Sequence, residues 1–272
     1  MFRFLLFSLM LLTGSMASGQ ELYIFSNPAS NIPAKALVAK ASMKTMRAYH
    51  NNEREYRFMP EIQLGLTKNW MLTGNVSFSN MYFQSKQQFE SARLYTKYRF
   101  YSNDEVHKHF RAALYGSAAW SNNPLVYQEL SLDGDNSGLQ LGAVATQLVG
   151  KFAASAGASY IRQLEKDNKV DFGIPFSNEA ILYNLSMGYL LFPRNYDNYK
   201  QTNVNLYCEF LGQQSTDVKA SYIDIAPAIQ LIFNSSTRFN LGARYQLAGN
   251  AHRMAERSVF ISLEHYFLNA LK

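Results

Sequence analysis

YIDIAPAIQLIFNSSTRFNLGARYQL, residues Tyr222 to Leu247, decides the fold. Ile223, Ile225, Ile229, Leu231 and Phe233 share one parity, and Tyr222, Asp224, Ala226, Ala228 and Gln230 share the other. Asn234 to Thr237 interrupts the pattern. Alternation then resumes with Phe239, Leu241, Ala243, Tyr245 and Leu247 against Asn240, Gly242, Arg244 and Gln246. A period of two marks a strand with one apolar face, and two such runs about a short polar break form a hairpin. Each run has roughly the 9–11 residues with which a tilted strand crosses a bilayer. Proline cannot donate to a ladder, so Pro60 and Pro227 count against regular strands, and Pro227 marks a candidate bulge.

Working outward, the same unit recurs. Strands are expected at about Ala34–Met46, Arg57–Leu66, Trp70–Ser79, Ala92–Tyr101, Phe110–Trp120, Ile181–Leu191, Asn203–Phe210 and Val259–Phe267. Gly138–Ile161 is rich in small residues and is also readable as a membrane helix with a glycine contact face. Gln140, Gln147 and Lys151 lie within it, and Phe152 to Tyr160 alternate, so two strands with a turn near Val149–Lys151 fit better. Ser102–Lys108 reads as a charged turn. Ser121–Asn136 and Glu165–Glu179 read as long loops. The sum is twelve antiparallel strands with short turns on one side and longer loops on the other. That is the asymmetry of an outer-membrane barrel with both termini on the periplasmic side.

The charges separate a membrane barrel from a soluble sheet. On the apolar parity they stand only near strand ends, at Lys35, Glu90, Arg162 and Lys219. On the other parity they reach mid-strand. A charge facing lipid at the midplane costs about 2–4 kcal/mol, whereas one facing a wet lumen does not. Outward aromatics such as Trp70, Phe78, Phe100, Trp120, Phe152 and Tyr160 gather toward strand ends, like interfacial girdles. A sheet in lipid must close, because open edges leave backbone groups unpaired. The competing reading is a secreted soluble β-sandwich or small barrel with the apolar parity inside.

Residues 1–19 have the form of a cleaved secretory signal, with Arg3 before an apolar run and Ala17-Ser18-Gly19 at the cut. Residues 20–33 read as an irregular N-terminal lead-in, and residues 34–272 as the barrel domain. The lone Cys208 excludes an intramolecular disulfide and a cysteine zinc site. The formal charge is +6, with a pI of about 9.2 and a mean hydropathy of −0.21. The basic residues are scattered, so no nucleic-acid patch is expected. The partners expected are outer-membrane lipid and a small solute; the sequence leaves the oligomeric state open.

The signal peptide, the strand–turn rhythm and the aromatic-rich last strand resemble bacterial outer-membrane β-barrel proteins. Gln20 directly after the cut and the short tail beyond Phe267 are similar to uncharacterised barrels of the Bacteroidetes kind. The resemblance spans the whole mature chain and rests on rhythm, so it carries no functional residues with it.

The inward parity supplies the candidate site. Its cations are Lys40, Lys44, Arg93, Lys97, Arg99, Arg111 and Arg244; its anions are Glu61, Glu209, Asp224 and Glu264. This leaves about three positive charges in the lumen, and a pore so lined favours anions. Arg93, Lys97 and Arg99 share one strand and are the expected unpaired surplus. Tyr95, Tyr101, Tyr115, Tyr207, Tyr222 and Tyr266 join them as a track for a sugar or organic acid, or as packing. The sequence therefore supports a passive channel or binding pore for small anionic or polar solutes. A second reading is a plugged structural or interaction barrel acting through its loops; a third is a membrane lipid hydrolase. His50, His107, His109, His252 and His265 form no evident triad, so no enzyme and no catalytic residue is expected. No cofactor is expected. Asp133-Gly-Asp-Asn-Ser-Gly138 opens like a calcium loop, but Val144 stands where the bidentate Glu belongs, so no metal site is expected.

Overall fold

The computed structural model describes residues 23–47, 53–82, 86–164, 170, 173–193 and 200–271. Residues 1–22, with the signal segment, residues 48–52 around His50, 83–85, 165–169 and 171–172 of the Glu165–Glu179 loop, 194–199 and Lys272 lie outside them. The described chain forms one closed antiparallel barrel of twelve strands. They are β1 (Leu37–Arg47), β2 (Arg54–Gly65), β3 (Trp70–Ser79), β4 (Gln88–Glu105), β5 (Lys108–Ser121) and β6 (Gly138–Val149). The series continues with β7 (Phe152–Gln163), β8 (Glu179–Phe192), β9 (Asn203–Ser215), β10 (Ser221–Phe233), β11 (Thr237–Gly249) and β12 (Arg257–Phe267). Each strand pairs with its neighbour in sequence. β12 closes on β1 from Leu37↔Phe267 to Met46↔Ser258. We call the end carrying Leu37 and Phe267 the turn end and the other the loop end.

Alternation decides which way each side chain points. Phe58, Ile62, Leu94, Leu141, Leu185, Leu241 and Leu263 stand exposed on the outer wall. Trp70 and Phe152 mark its turn end; Trp120, stacked on Phe89 at 6.1 Å, marks its loop end. The interior is polar and hydrogen-bonded. Asn205 Nδ2 and the Tyr207 hydroxyl donate to Gln230 Oε1 at 3.1 and 3.0 Å. Gln230 Nε2 donates to Asn240 Oδ1, and Asn240 Nδ2 to Ser262 Oγ, each at 2.9 Å. Buried amides need partners, and these supply one another's.

The hairpin that opened the reading is β10–β11, and the glycine-rich stretch is β6–β7, two strands. Three local expectations are corrected. First, Pro227 is no bulge. Ile225 pairs with Tyr245 and Ala228 with Gly242 in one unbroken register, so the proline lies in a gap of the β10–β11 ladder. On its other side it pairs with Cys208 of β9. Pro60 sits in a like gap between Phe58↔Phe78 and Glu61↔Asn75. A missing N–H is tolerated where no ladder bond was due. Second, Glu90 does not face outward. The β3–β4 register jumps from Ser77↔Ser91 to Phe78↔Phe89, and this bulge turns Glu90 inward beside Ser91. Third, Tyr101 does not face inward. A second register shift, between Arg99 and Tyr101, brings it out against Phe110, with ring centroids 5.9 Å apart. Beyond that shift Ser102–Glu105 is strand, pairing with Lys108–Arg111, and not the charged turn expected. The true turn is two residues long, with His107 at φ 60°.

Candidate functional site: a chamber between two inserted segments

Two stretches outside the strands fill the lumen. The first is Tyr23–Pro33, the described part of the expected lead-in, which carries no strand or helix. Its main chain is held by the wall. The Ile24 and Phe25 N–H groups donate to Glu209 Oε1 at 3.0 and 2.9 Å, and the Ser26 N–H to Oε2 at 2.9 Å. The Ala29 N–H donates to Thr146 Oγ1 at 2.9 Å. Lys97 Nζ donates to the carbonyls of Pro28 and Ser30 at 2.6 and 2.7 Å. The segment leaves at the turn end, where a Cβ on Gly65 would lie 2.0 Å from the Pro33 carbonyl oxygen. Glycine is needed for that approach.

The second is the loop between β5 and β6. It was expected as a long external loop, and it turns into the loop end instead. Leu130 N–H donates to Gln213 Oε1 at 2.9 Å, and Gln213 Nε2 returns a bond to the Gln128 carbonyl at 2.7 Å. Leu130 and Leu132 pack on Ala119, Ile161 and Ala180 of the inner wall. Val126 and Tyr127 pack on Met46, Met81, Tyr82 and Met254.

Two buried charge clusters fasten this loop. In one, Arg57 grips Glu90 through Nε at 2.6 Å and Nη2 at 2.7 Å. Its Nη2 also donates to Asp135 Oδ1 at 2.7 Å, and its Nη1 to the Asp133 carbonyl at 2.9 Å. In the other, Arg253 bridges Glu129 and Asp224, with Nε–Oε2 at 2.9 Å and Nη1–Oδ1 at 2.8 Å. Arg244 joins it, contacting Asp224 and reaching Glu129 at 3.2 Å. The Arg253 guanidinium lies over the Tyr222 ring, 3.8 Å from its centroid.

The loop carboxyls are tuned by these neighbours. Burial alone would raise the Glu129 carboxyl, but Arg253 and Arg244 overcome it and hold the group well below the ordinary carboxylate range. Burial opposes Asp135 in the same way, and Arg57 and Lys44 bring it down. A carboxyl depressed in the inserted state stabilises that state fully above its free value, and the effect is lost as pH falls through the depressed value. The loop is therefore expected to stay seated from pH 7 down to about pH 4, the free carboxylate range, and to loosen only in stronger acid. Hydrogen exchange of residues 122–137, corrected for intrinsic rates, measures this; loosening already at pH 5–6 would contradict it.

Of the eleven charged residues singled out on the inner parity, nine are distributed over partners as follows. Arg93 pairs with Asp133 and Lys97 holds the N-terminal segment, as described. Arg99 donates to the Lys68 carbonyl at 2.8 Å at the turn end. Arg111 pairs with Asp104 at 3.0 Å and also donates to Ser30 Oγ at 3.1 Å. The trio on β4 is therefore no unpaired surplus. Glu61 accepts from Gln63 Nε2 at 2.7 Å. Glu264 meets Arg238 at 3.4 Å. Arg244 and Asp224 belong to the Arg253 cluster, and Glu209 to the N-terminal segment. The loop carries Glu129, Asp133 and Asp135 in against these cations, while Arg57, Arg238 and Arg253 add to them. Sequence reading missed Arg57, Glu90, Glu129, Asp135 and Arg253. One signal was available: Leu125, Val126, Tyr127, Leu130 and Leu132 are too apolar for a loop in water.

Between the two segments lie adjoining cavities of about 190 and 200 Å³. Phe25, Ser26 and Asn27 floor them, and Ser131 and Asp133 roof them. Lys40, Lys44, Glu61 and Arg93 line one side; Tyr115, Gln140, Tyr183 and Asn184 line the other. Lys44 takes part in no ion pair among the described residues, although the charges of Asp135, Arg57, Glu129 and Arg244 surround it. At the turn end, Ser102 Oγ and His109 Nδ1 both meet Asp104, at 2.8 and 2.9 Å, so this hydroxyl is bonded to the carboxylate and not to the imidazole.

The sequence matches no family model and no curated protein. Solved structures do match. An outer membrane channel from Pseudomonas putida F1 superposes with a TM-score of 0.59 at 14% identity, over 90% of this chain and 100% of that one. The NanC porin superposes with a TM-score of 0.53 at 9% identity, over 84% of this chain and 98% of that one. At these identities the likeness is one of fold, the closed antiparallel barrel.

Proposed function

We propose that this chain is an outer-membrane barrel that admits a small anionic or polar solute to the chamber between its two inserted segments. The observation that carries this is the chamber's lining. Lys40, Lys44 and Arg93 face amide and phenol groups across a space of solute size, and Lys44 forms no ion pair among the described residues. Such a wall suits a carboxylate or another oxyanion on a polar body: the cations take the charge, and Tyr115, Gln140 and Asn184 offer hydrogen bonds and a ring face. The apolar outer wall and the fold shared with an outer membrane channel support the location. A second reading, a plugged barrel, draws on the same two segments, since both ends of the chamber are covered.

Planar-bilayer recording in a salt gradient tests the proposal. Discrete anion-selective steps are expected. Lys44→Ala combined with Arg93→Ala is expected to lower the anion-to-cation permeability ratio by about twofold or more, as loss of pore-lining cations should. Cation-selective steps, or a ratio unmoved by the double change, would count against the chamber as the selective site.

A further inference from the structure

The inner wall treats Tyr23–Pro33 as a ligand. Glu209 is 0% exposed and forms no ion pair among the described residues. Its carboxylate is satisfied by three successive main-chain N–H groups and by Ser186 Oγ at 3.1 Å. An unpaired buried carboxylate is costly, so this wall is electrostatically complete only with a peptide main chain against it. Lys97, 2% exposed, takes the opposite role and donates to two carbonyls of the same segment. Thr146 accepts a further N–H between them. These groups read main-chain donors and acceptors in a fixed order and so fix the direction of the bound chain.

Two aromatic positions add selectivity. Phe25 lies over Gly242, where a Cβ would come within 2.8 Å of its ring, and beside Phe260 with ring centroids 5.6 Å apart. Tyr23 meets Tyr207 edge-on at 5.6 Å. Ser26, Ala29 and Ser30 are small where the wall comes close.

We propose that this wall is a binding site for an extended peptide, filled here by the chain's own Tyr23–Pro33, and that release of this segment opens the chamber at the turn end. The opening half rests on the channel reading above; the binding half does not. The loop between β5 and β6 is the weaker candidate for a gate. It is tied to strands at both ends and fastened by two buried charge clusters. The N-terminal segment is joined to the wall at β1 only, among the described residues, through a turn in which Lys35 has φ 61°.

The test uses the full chain with Cys208→Ser. Ser26→Cys serves as reporter, labelled with a membrane-impermeant maleimide. With Glu209 present labelling is expected to be slow, and Glu209→Gln is expected to speed it at least tenfold and to raise open-channel time by a similar factor. A second variant, Ser26→Cys with Ser186→Cys, joins positions whose Oγ atoms are 2.8 Å apart. Oxidised, it is expected to be silent in bilayers; reduced, to conduct. A synthetic peptide of residues 23–33, added in excess to the Ser26→Cys protein with Glu209 intact, is expected to compete for the wall and so speed labelling of the tethered segment; it should leave labelling of the Glu209→Gln protein unchanged, and a scrambled peptide should change neither. Equal labelling with and without Glu209→Gln overturns the binding site. Full conductance in the oxidised clamp overturns the gate and leaves the channel standing. Labelling that is slow with Glu209 and fast in Glu209→Gln, with silence in every variant, overturns the channel and supports the peptide site.

Discussion

Replacing Arg57 with alanine is expected to destabilise the barrel by about 3–5 kcal/mol, the usual consequence of stripping one partner from a buried ion pair. Arg57 and Glu90 are each 1% exposed. Without the guanidinium, Glu90 keeps Ser77, Ser79 and Asn123 as hydrogen-bond donors but no cation within the cluster. Asp135 and the Asp133 carbonyl lose their tether at the same stroke, so the loop between β5 and β6 should also become open to protease. Arg57→Lys should fall between, since an ammonium cannot reproduce the two-pronged grip on Glu90. Urea unfolding in bilayers gives the stability. A change below about 1 kcal/mol would fit an exposed pair and would mean the cluster is solvated.

Leu94→Arg should cost about 2–4 kcal/mol if the outer wall faces lipid, because a cation at the midplane has no partner there. Leu94 is 54% exposed and pairs with Gly74 and Ala118, far from either end of the wall. The same change on a barrel in water would be neutral or would improve solubility. Folding yield and stability in vesicles against the unaltered protein separate the two cases, and a neutral result would sink the membrane placement.

The wall was legible because alternation is a direct image of a two-faced strand. Ile223 to Phe233 needed nothing more, and neither did Phe152 to Tyr160. Parity counting failed where the ladder itself slips. Glu90 and Tyr101 flank the two bulges of β4, and a bulge inserts one residue and reverses every later assignment. The lumen was half legible. That Arg93, Lys97, Glu209 and Asp224 point inward follows from parity. What they meet does not, because their partners come from segments without a period. Tyr23–Pro33 holds two prolines and small polar residues, and nothing in that composition says that its main-chain N–H groups seek a carboxylate far away in sequence. Asp133 and Asp135 looked like a solvated turn because a short acidic stretch reads the same whether water or arginine surrounds it.

The placing of the two tryptophans has a spectroscopic consequence. Trp70 and Trp120 are the chain's only indoles and sit on the same face of the wall at opposite ends. Each is an emitter fixed at one rim. Replacing either with phenylalanine leaves a protein whose fluorescence reports a single rim. Lipids brominated at chosen depths would then time the arrival of each rim in a vesicle. A barrel that threads its turns across the bilayer should bury Trp70 and carry it to the far leaflet, while Trp120 stays at the leaflet first met.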